Sequence, residues 1–174
     1  MKTRRTILAG AALVIGASSA ALAGVADSPA PSLGGAPAVH VFSVPGVQST
    51  TGGLGAPPLE TEFFCTSLES SKPIHIAVEV FNYSGGAALN DVSAGNGAAT
   101  AAPGQTVTIS TGQVAAFLPH ATITGLTPLS GTSARIVSTS KRIMCSAVVV
   151  DGSHLVPTSM VSLQVIKLRT QRGN

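Results

Sequence analysis

Apolar positions along this chain recur every second residue. The clearest run is PIHIAVEVFNY, Pro73 to Tyr83: Ile74, Ile76, Val78 and Val80 share one face, and His75, Ala77, Glu79 and Phe81 share the other. That is the period of a strand. A slip of one residue would turn every side chain over, so the register is well specified. LETEFFCTSL (Leu59 to Leu68) puts Phe63 and Cys65 on one face, with Phe64 on the other. VHVFSV (Val39 to Val44) predicts an edge strand ended by Pro45-Gly46.

Shorter strands are expected at QTVTIS (Gln105 to Ser110), VAAF (Val114 to Phe117), HATIT (His120 to Thr124) and SARIVST (Ser133 to Thr139). SMVSLQVIKL (Ser159 to Leu168) is expected as the last strand. In SKRIMCSAVVVDG, Ile143, Cys145, Ala147 and Val149 alternate with Met144, Ser146, Val148 and Val150. Both sets are largely apolar, which predicts a strand covered on both faces, with a cationic entrance turn and Asp151-Gly152 as exit turn. No helical period follows residue 23. The expected fold class is all-β: a single antiparallel β-sandwich, jelly-roll or immunoglobulin-like, of about eight strands with one disulfide. An immunoglobulin domain would normally set a Trp against its disulfide, and this chain has no Trp.

The first 23 residues follow a different pattern. Lys2, Arg4 and Arg5 precede the apolar ILAGAALVIGASSA, and Ala21-Leu22-Ala23 offers a small-residue cleavage site. This reads as an export signal rather than a spanning helix, leaving no stable membrane anchor after cleavage. TRRTIL also has the look of a twin-arginine signal, so two export routes stay open. The expected division is signal peptide 1–23, a flexible Pro/Ala/Gly-rich leader 24–38 that can bury little apolar area, and one domain 39–174. The expected location is periplasmic or extracellular.

Cleavage changes the charge. The net charge of +3 equals the three cations of the signal, so the seven remaining Lys and Arg balance seven Asp and Glu. The basic pI of 9.2 therefore describes the signal and gives no reason to expect nucleic acid. Two cysteines, Cys65 and Cys145, are an even pair in an exported chain, which favours a disulfide between them.

Candidate chemistry is thin. No two of His40, His75, His120 and His154 have a spacing that sets two imidazoles together on one element, and no His-Met loop follows Cys145. Asn90, Asp91 and Asn96 offer one carboxylate in a glycine-rich loop, better read as an Asx turn than a calcium loop. There is no G-x-S-x-G elbow, and Asp151, Ser153 and His154 are too close in sequence to form a relay among themselves. Glu60 and Glu62 share a strand face, but a glycosidase needs two carboxylates flanking a sugar, and the chain has no Trp platform. No catalytic, metal-ligating or cofactor-binding residues are therefore assigned. Arg135, among small and apolar neighbours, is expected to pair with Glu79 inside the sheet, as a structural ion pair or a binding group.

EFFCTS, VEVFNYSGG, SARIVSTS and CSAVVVDG together resemble a group of short exported bacterial β-domain proteins with a paired-cysteine pattern. The resemblance spans about Val39 to Leu168. It implies one exported domain centred on the two cysteine strands; the group carries no known activity, so no functional residue is transferred. The expected function is a non-enzymatic interaction or envelope module acting on a protein or envelope partner. A small-ligand or metal carrier and a small hydrolase with a loop-assembled site are the alternatives.

Overall fold

The computed structural model describes residues 25, 28–53, 56–112, 117–152 and 159–168. The stretch expected to be an export signal, most of the Val114 to Phe117 stretch, His154 and residues 169–174 lie outside the described residues. Among the described residues no helix is long and apolar enough to cross a membrane.

The fold is all-β. Twelve strands are described: β1 Ser32–Leu33, β2 Ala36–Pro37, β3 Val39–Ser49, β4 Leu59–Ser67, β5 Ile74–Phe81, β6 Ala98–Ala101, β7 Thr106–Ser110, β8 Ala121–Thr122, β9 Leu129–Ser138, β10 Ile143–Asp151, β11 Met160–Leu163 and β12 Ile166–Lys167. The expected count of about eight falls short because β1 and β2, of two residues each, lie in the stretch read as a leader, β6 lies in a Gly/Ala-rich stretch with little period, and the expected last strand divides into β11 and β12.

Pairing joins β12, β3, β9, β5 and β6 in that order, and β11, β10, β4, β7 and β8 in that order. Ser49 opposite Glu60 links the two sets. Every pairing is antiparallel except the parallel β7–β8.

Strand β3 corrects two expectations. It continues through Pro45-Gly46 to Ser49, and it lies between β9 and β12 rather than at an edge. Its register against β9 shifts between Pro45 and Val47. Proline has no N–H to give to a ladder, and a bulge leaves one residue unpaired, so the irregularity accommodates it. Gly46, at φ +82°, supplies a backbone turn that a side chain would resist.

The last strand is also two strands. Met160–Leu163 pairs with β10, and Ile166–Lys167 crosses to β3. Strand β10 is not covered on both faces: Ile143 and Ala147 are buried, whereas Met144 and Ser146 are exposed.

One apolar cluster draws on both strand sets. It includes Val44 and Val47 of β3, Phe63 and Cys65 of β4, Ile74, Ile76, Val78 and Val80 of β5, Ile109 of β7 and Ile136 of β9. The face of β5 that carries Ile74, Ile76, Val78 and Val80 is thus its core face.

The other face of β5 is covered as well. Leu33 and Ala38 pack with Ala77, Val92 and Val137 in a second cluster. The stretch expected to bury little apolar area therefore buries Leu33 and Ala38, and it lies on the outer face of β5 and β9. Gly34, at φ +57°, lies directly on the His75 ring, where a Cβ would collide with it. A glycine is needed there twice over, for the turn and for the contact.

Candidate functional site: an arginine clamp and a buried carboxylate pair

Arg135 stands on β9 directly opposite Glu79 of β5. Alternation points it away from the main core, because Ala134 and Ile136 take the core side. Its Nε donates to Glu79 Oε2 at 2.6 Å. Nη1 donates to the Ser28 carbonyl at 2.7 Å and the Val25 carbonyl at 3.4 Å, and Nη2 to the Pro29 carbonyl at 2.7 Å. The guanidinium also lies 5.4 Å from the centre of the Phe81 ring. Only 2% of the residue is exposed. A rigid fork of donors can serve a carboxylate and several carbonyls at once, which an ammonium cannot. The expected Arg135–Glu79 pair is present, and it holds the N-terminal segment to the sheet. Half-buried His40 feels the same charge. Burial lowers its pKa first; the bond to the Phe42 carbonyl works the other way, and Arg135 adds to the lowering.

Cys65 and Cys145 form the expected disulfide. They are cross-strand partners, the third of nine pairs in the β4–β10 ladder, with Cα atoms 4.2 Å apart. The bond thus ties neighbouring strands of one ladder.

The other face of β4 carries Glu60, Glu62 and Phe64. Glu62 is fully buried, opposite Ser110 of β7 and Val148 of β10. Neither of its carboxyl oxygens makes a hydrogen bond of good geometry, nor does Glu60 Oε2, although the Ser110 hydroxyl lies close enough to Glu62 to favour its charged form. The backbone closes around Glu60 from two sides. A Cβ on Gly112 would collide with the Glu60 carboxyl, and one on Gly152 would come within 2.8 Å of it. Those glycines give Glu60 no hydrogen bond. Gly112 N–H donates to Ser110 Oγ, and Gly152 N–H to the Pro58 carbonyl.

A buried carboxylate without donors is pushed toward its neutral form. Burial raises Glu60, and it carries Glu62 from its ordinary 4.5 up to about 7. The Ser110 hydroxyl partly opposes the Glu62 shift, and the Glu60 charge adds to it. Sequence reasoning saw this pair only as an unsuitable glycosidase dyad. The available signal was two of seven acids placed two apart in an otherwise uncharged strand; the burial depends on β7 and β10, far away in sequence.

The sign of the pH effect follows. Native Glu62 holds its proton more tightly than the unfolded chain does, so stability falls as pH rises from about 4.5 to about 7 and stays reduced above that. Glu62→Gln is expected to be near neutral at about pH 4 and stabilising by about 2–3 kcal/mol at about pH 8 in the presence of a chelator. Urea unfolding across that range checks it; equal offsets at both ends would refute it.

The remaining polar candidates serve the fold. Asn90 bridges to Val80 N–H and to the Val78 and Asn96 carbonyls, and Asp91 Oδ1 accepts from Ser93 and Ala94 N–H. His75 is half-buried beside Thr100 Oγ1, rather than fully turned to solvent, and His120 Nδ1 accepts from Thr108 N–H. Glu69 holds the entrance turn of β10 through Ser140 Oγ at 2.6 Å and Arg142 at 3.9 Å. Among the described residues no three His, Cys, Asp or Glu side chains gather in a metal-holding group. Compared with protein-family models, with curated proteins and with solved structures, the chain matches none.

Proposed function

We propose that this chain is an exported, non-enzymatic β-sandwich module that binds a protein or envelope partner. The sandwich is the reading in which the two strand sets face each other. Their shared apolar cluster supports it, as does the way the chain crosses between sets from β3 to β4, β4 to β5, β6 to β7 and β9 to β10. The cross-strand disulfide fits an oxidising compartment. A membership in the group of short exported bacterial proteins with paired cysteine strands belongs to the same proposal.

The observation that carries the binding role is β11. It ends its strand set, and among the described residues it pairs only with β10. Met160 is 54% exposed and Val161 62% exposed, on opposite faces of the strand. Edge strands are normally blunted by Lys, Pro or a bulge, because a row of free N–H and C=O groups recruits other strands. Met-Val-Ser-Leu has no such guard. It suits strand addition, in which the main chain supplies affinity and alternate side chains supply specificity.

A photo-crosslinking residue placed at Val161 in the exported protein is expected to trap a discrete adduct. Lysine at the neighbouring edge position, Met160→Lys, should abolish the adduct without moving the unfolding midpoint; a Tyr83→Ser control, on a distant exposed side chain, should leave it intact. Absence of an adduct, or one indifferent to Met160→Lys, would refute the edge as the binding surface.

A further inference from the structure

We propose that Glu60 and Glu62 form the carboxylate half of a binding site for a hard divalent cation, calcium in the exported setting. The argument is one of unmet demand. Three buried carboxyl oxygens lie on the same face of β4 without a well-formed hydrogen bond, and the two carboxylates are close enough for the Glu60 charge to act on Glu62. Among the described residues neither carboxylate has a cationic side chain as partner, since the ion pairs there join Arg135 to Glu79 and Arg142 to Glu69. The N–H groups of Gly112 and Gly152, whose backbone lies against the Glu60 carboxyl, are committed elsewhere. Natural folds seldom leave buried polar atoms unmatched, and each such group calls for a proton, a water or an ion.

The donor chemistry narrows the choice. Two carboxylates neutralise one dication, and with the Ser110 hydroxyl nearby every candidate donor is oxygen. Oxygen shells suit calcium, which accepts six to eight ligands in irregular geometry and completes its shell with carbonyls or water. Zinc and copper would ask for histidine or thiolate. Gly112 and Gly152 fit the same picture: the backbone closes on the Glu60 carboxyl from two sides and limits where it can turn. With two side-chain carboxylates, the affinity belongs to the weak class of extracellular modules, about 10⁻⁴–10⁻³ M.

The test is calorimetric titration of the chelator-treated, disulfide-bonded protein with calcium chloride at about pH 8, paralleled by thermal unfolding. Wild type is expected to bind one calcium in that range and to melt at a higher temperature as calcium rises. Magnesium at equal concentration should do less, because it demands a near-ideal octahedral shell. At about pH 5 the affinity should fall, because the proton on Glu62 competes. Glu62→Gln should weaken binding at least about tenfold, and Glu60→Gln/Glu62→Gln should abolish it. Both variants remove a buried charge, so they should fold at least as stably as wild type in chelator, and circular dichroism verifies that. No heat and no melting shift up to about 10 mM calcium would overturn the proposal, as would undiminished binding by the double variant. The pair would then be a proton-sharing pair and nothing more.

Discussion

Arg135→Ala is expected to destabilise the protein by about 3–5 kcal/mol, a large share of the roughly 5–15 kcal/mol that holds a typical domain together. The loss has two parts. Glu79, only 7% exposed, would lose its cation, and the carbonyls of Ser28 and Pro29 would lose the guanidinium's bonds. Arg135→Lys should recover little, because a single ammonium cannot span a carboxylate on one side and carbonyls on the other. The double replacement Arg135→Met/Glu79→Leu should recover much of the loss, since it removes the stranded charge along with the cation. Urea denaturation measures all three, and limited proteolysis reports on the N-terminal segment. In Arg135→Ala, cleavage between residues 28 and 38 should appear while the core stays resistant. A loss below about 1 kcal/mol, with no new cleavage, would mean that the clamp is incidental.

The second large effect concerns the disulfide. Cys65 and Cys145 are 80 residues apart in sequence, and the chain-entropy account assigns a loop of that length about 4.5 kcal/mol as a ceiling. A loss of about 2–4 kcal/mol is expected for Cys65→Ala/Cys145→Ala. Its position adds a second consequence. Nine consecutive pairs run from Ile143 opposite Ser67 to Asp151 opposite Leu59, and the cysteines are the third. A one-residue slip would exchange Phe63 for Phe64 on the core face, and only the native register sets the sulfurs opposite each other. The unlinked variant should therefore fold more slowly as well as less stably. A double variant within about 1 kcal/mol of wild type would show that the ladder needs no covalent pin.

Strand β5, Ile74–Phe81, was legible within one or two residues of each end of the expected Pro73 to Tyr83, because period-two alternation there is unbroken. The pairing of Arg135 with Glu79, and of the two cysteines, could be anticipated from residue types and compartment. What could not be read depends on distant partners. Nothing local to Leu33 or Ala38 says that β5 and β9 will cover them. Pro45-Gly46 looked like a stop because proline usually is one, and only the β9 register shows the irregularity that accommodates it. Glu60 and Glu62 could be placed on one face, but their burial comes from β7 and β10, and without burial they are two ordinary surface acids.

The clamp also orders events in time. The carbonyls of residues 25, 28 and 29 are joined to Arg135 across 106 to 110 positions of sequence. In a chain made from its N-terminus, these residues are synthesised well before β5 and β9, yet they have nowhere to dock until those strands have paired. Such long closures come late, because the entropy of a large loop must be overcome before the contact gives anything back. This early-made part of the chain is thus among the last to settle, held back by the pairing of two strands that are made long after it.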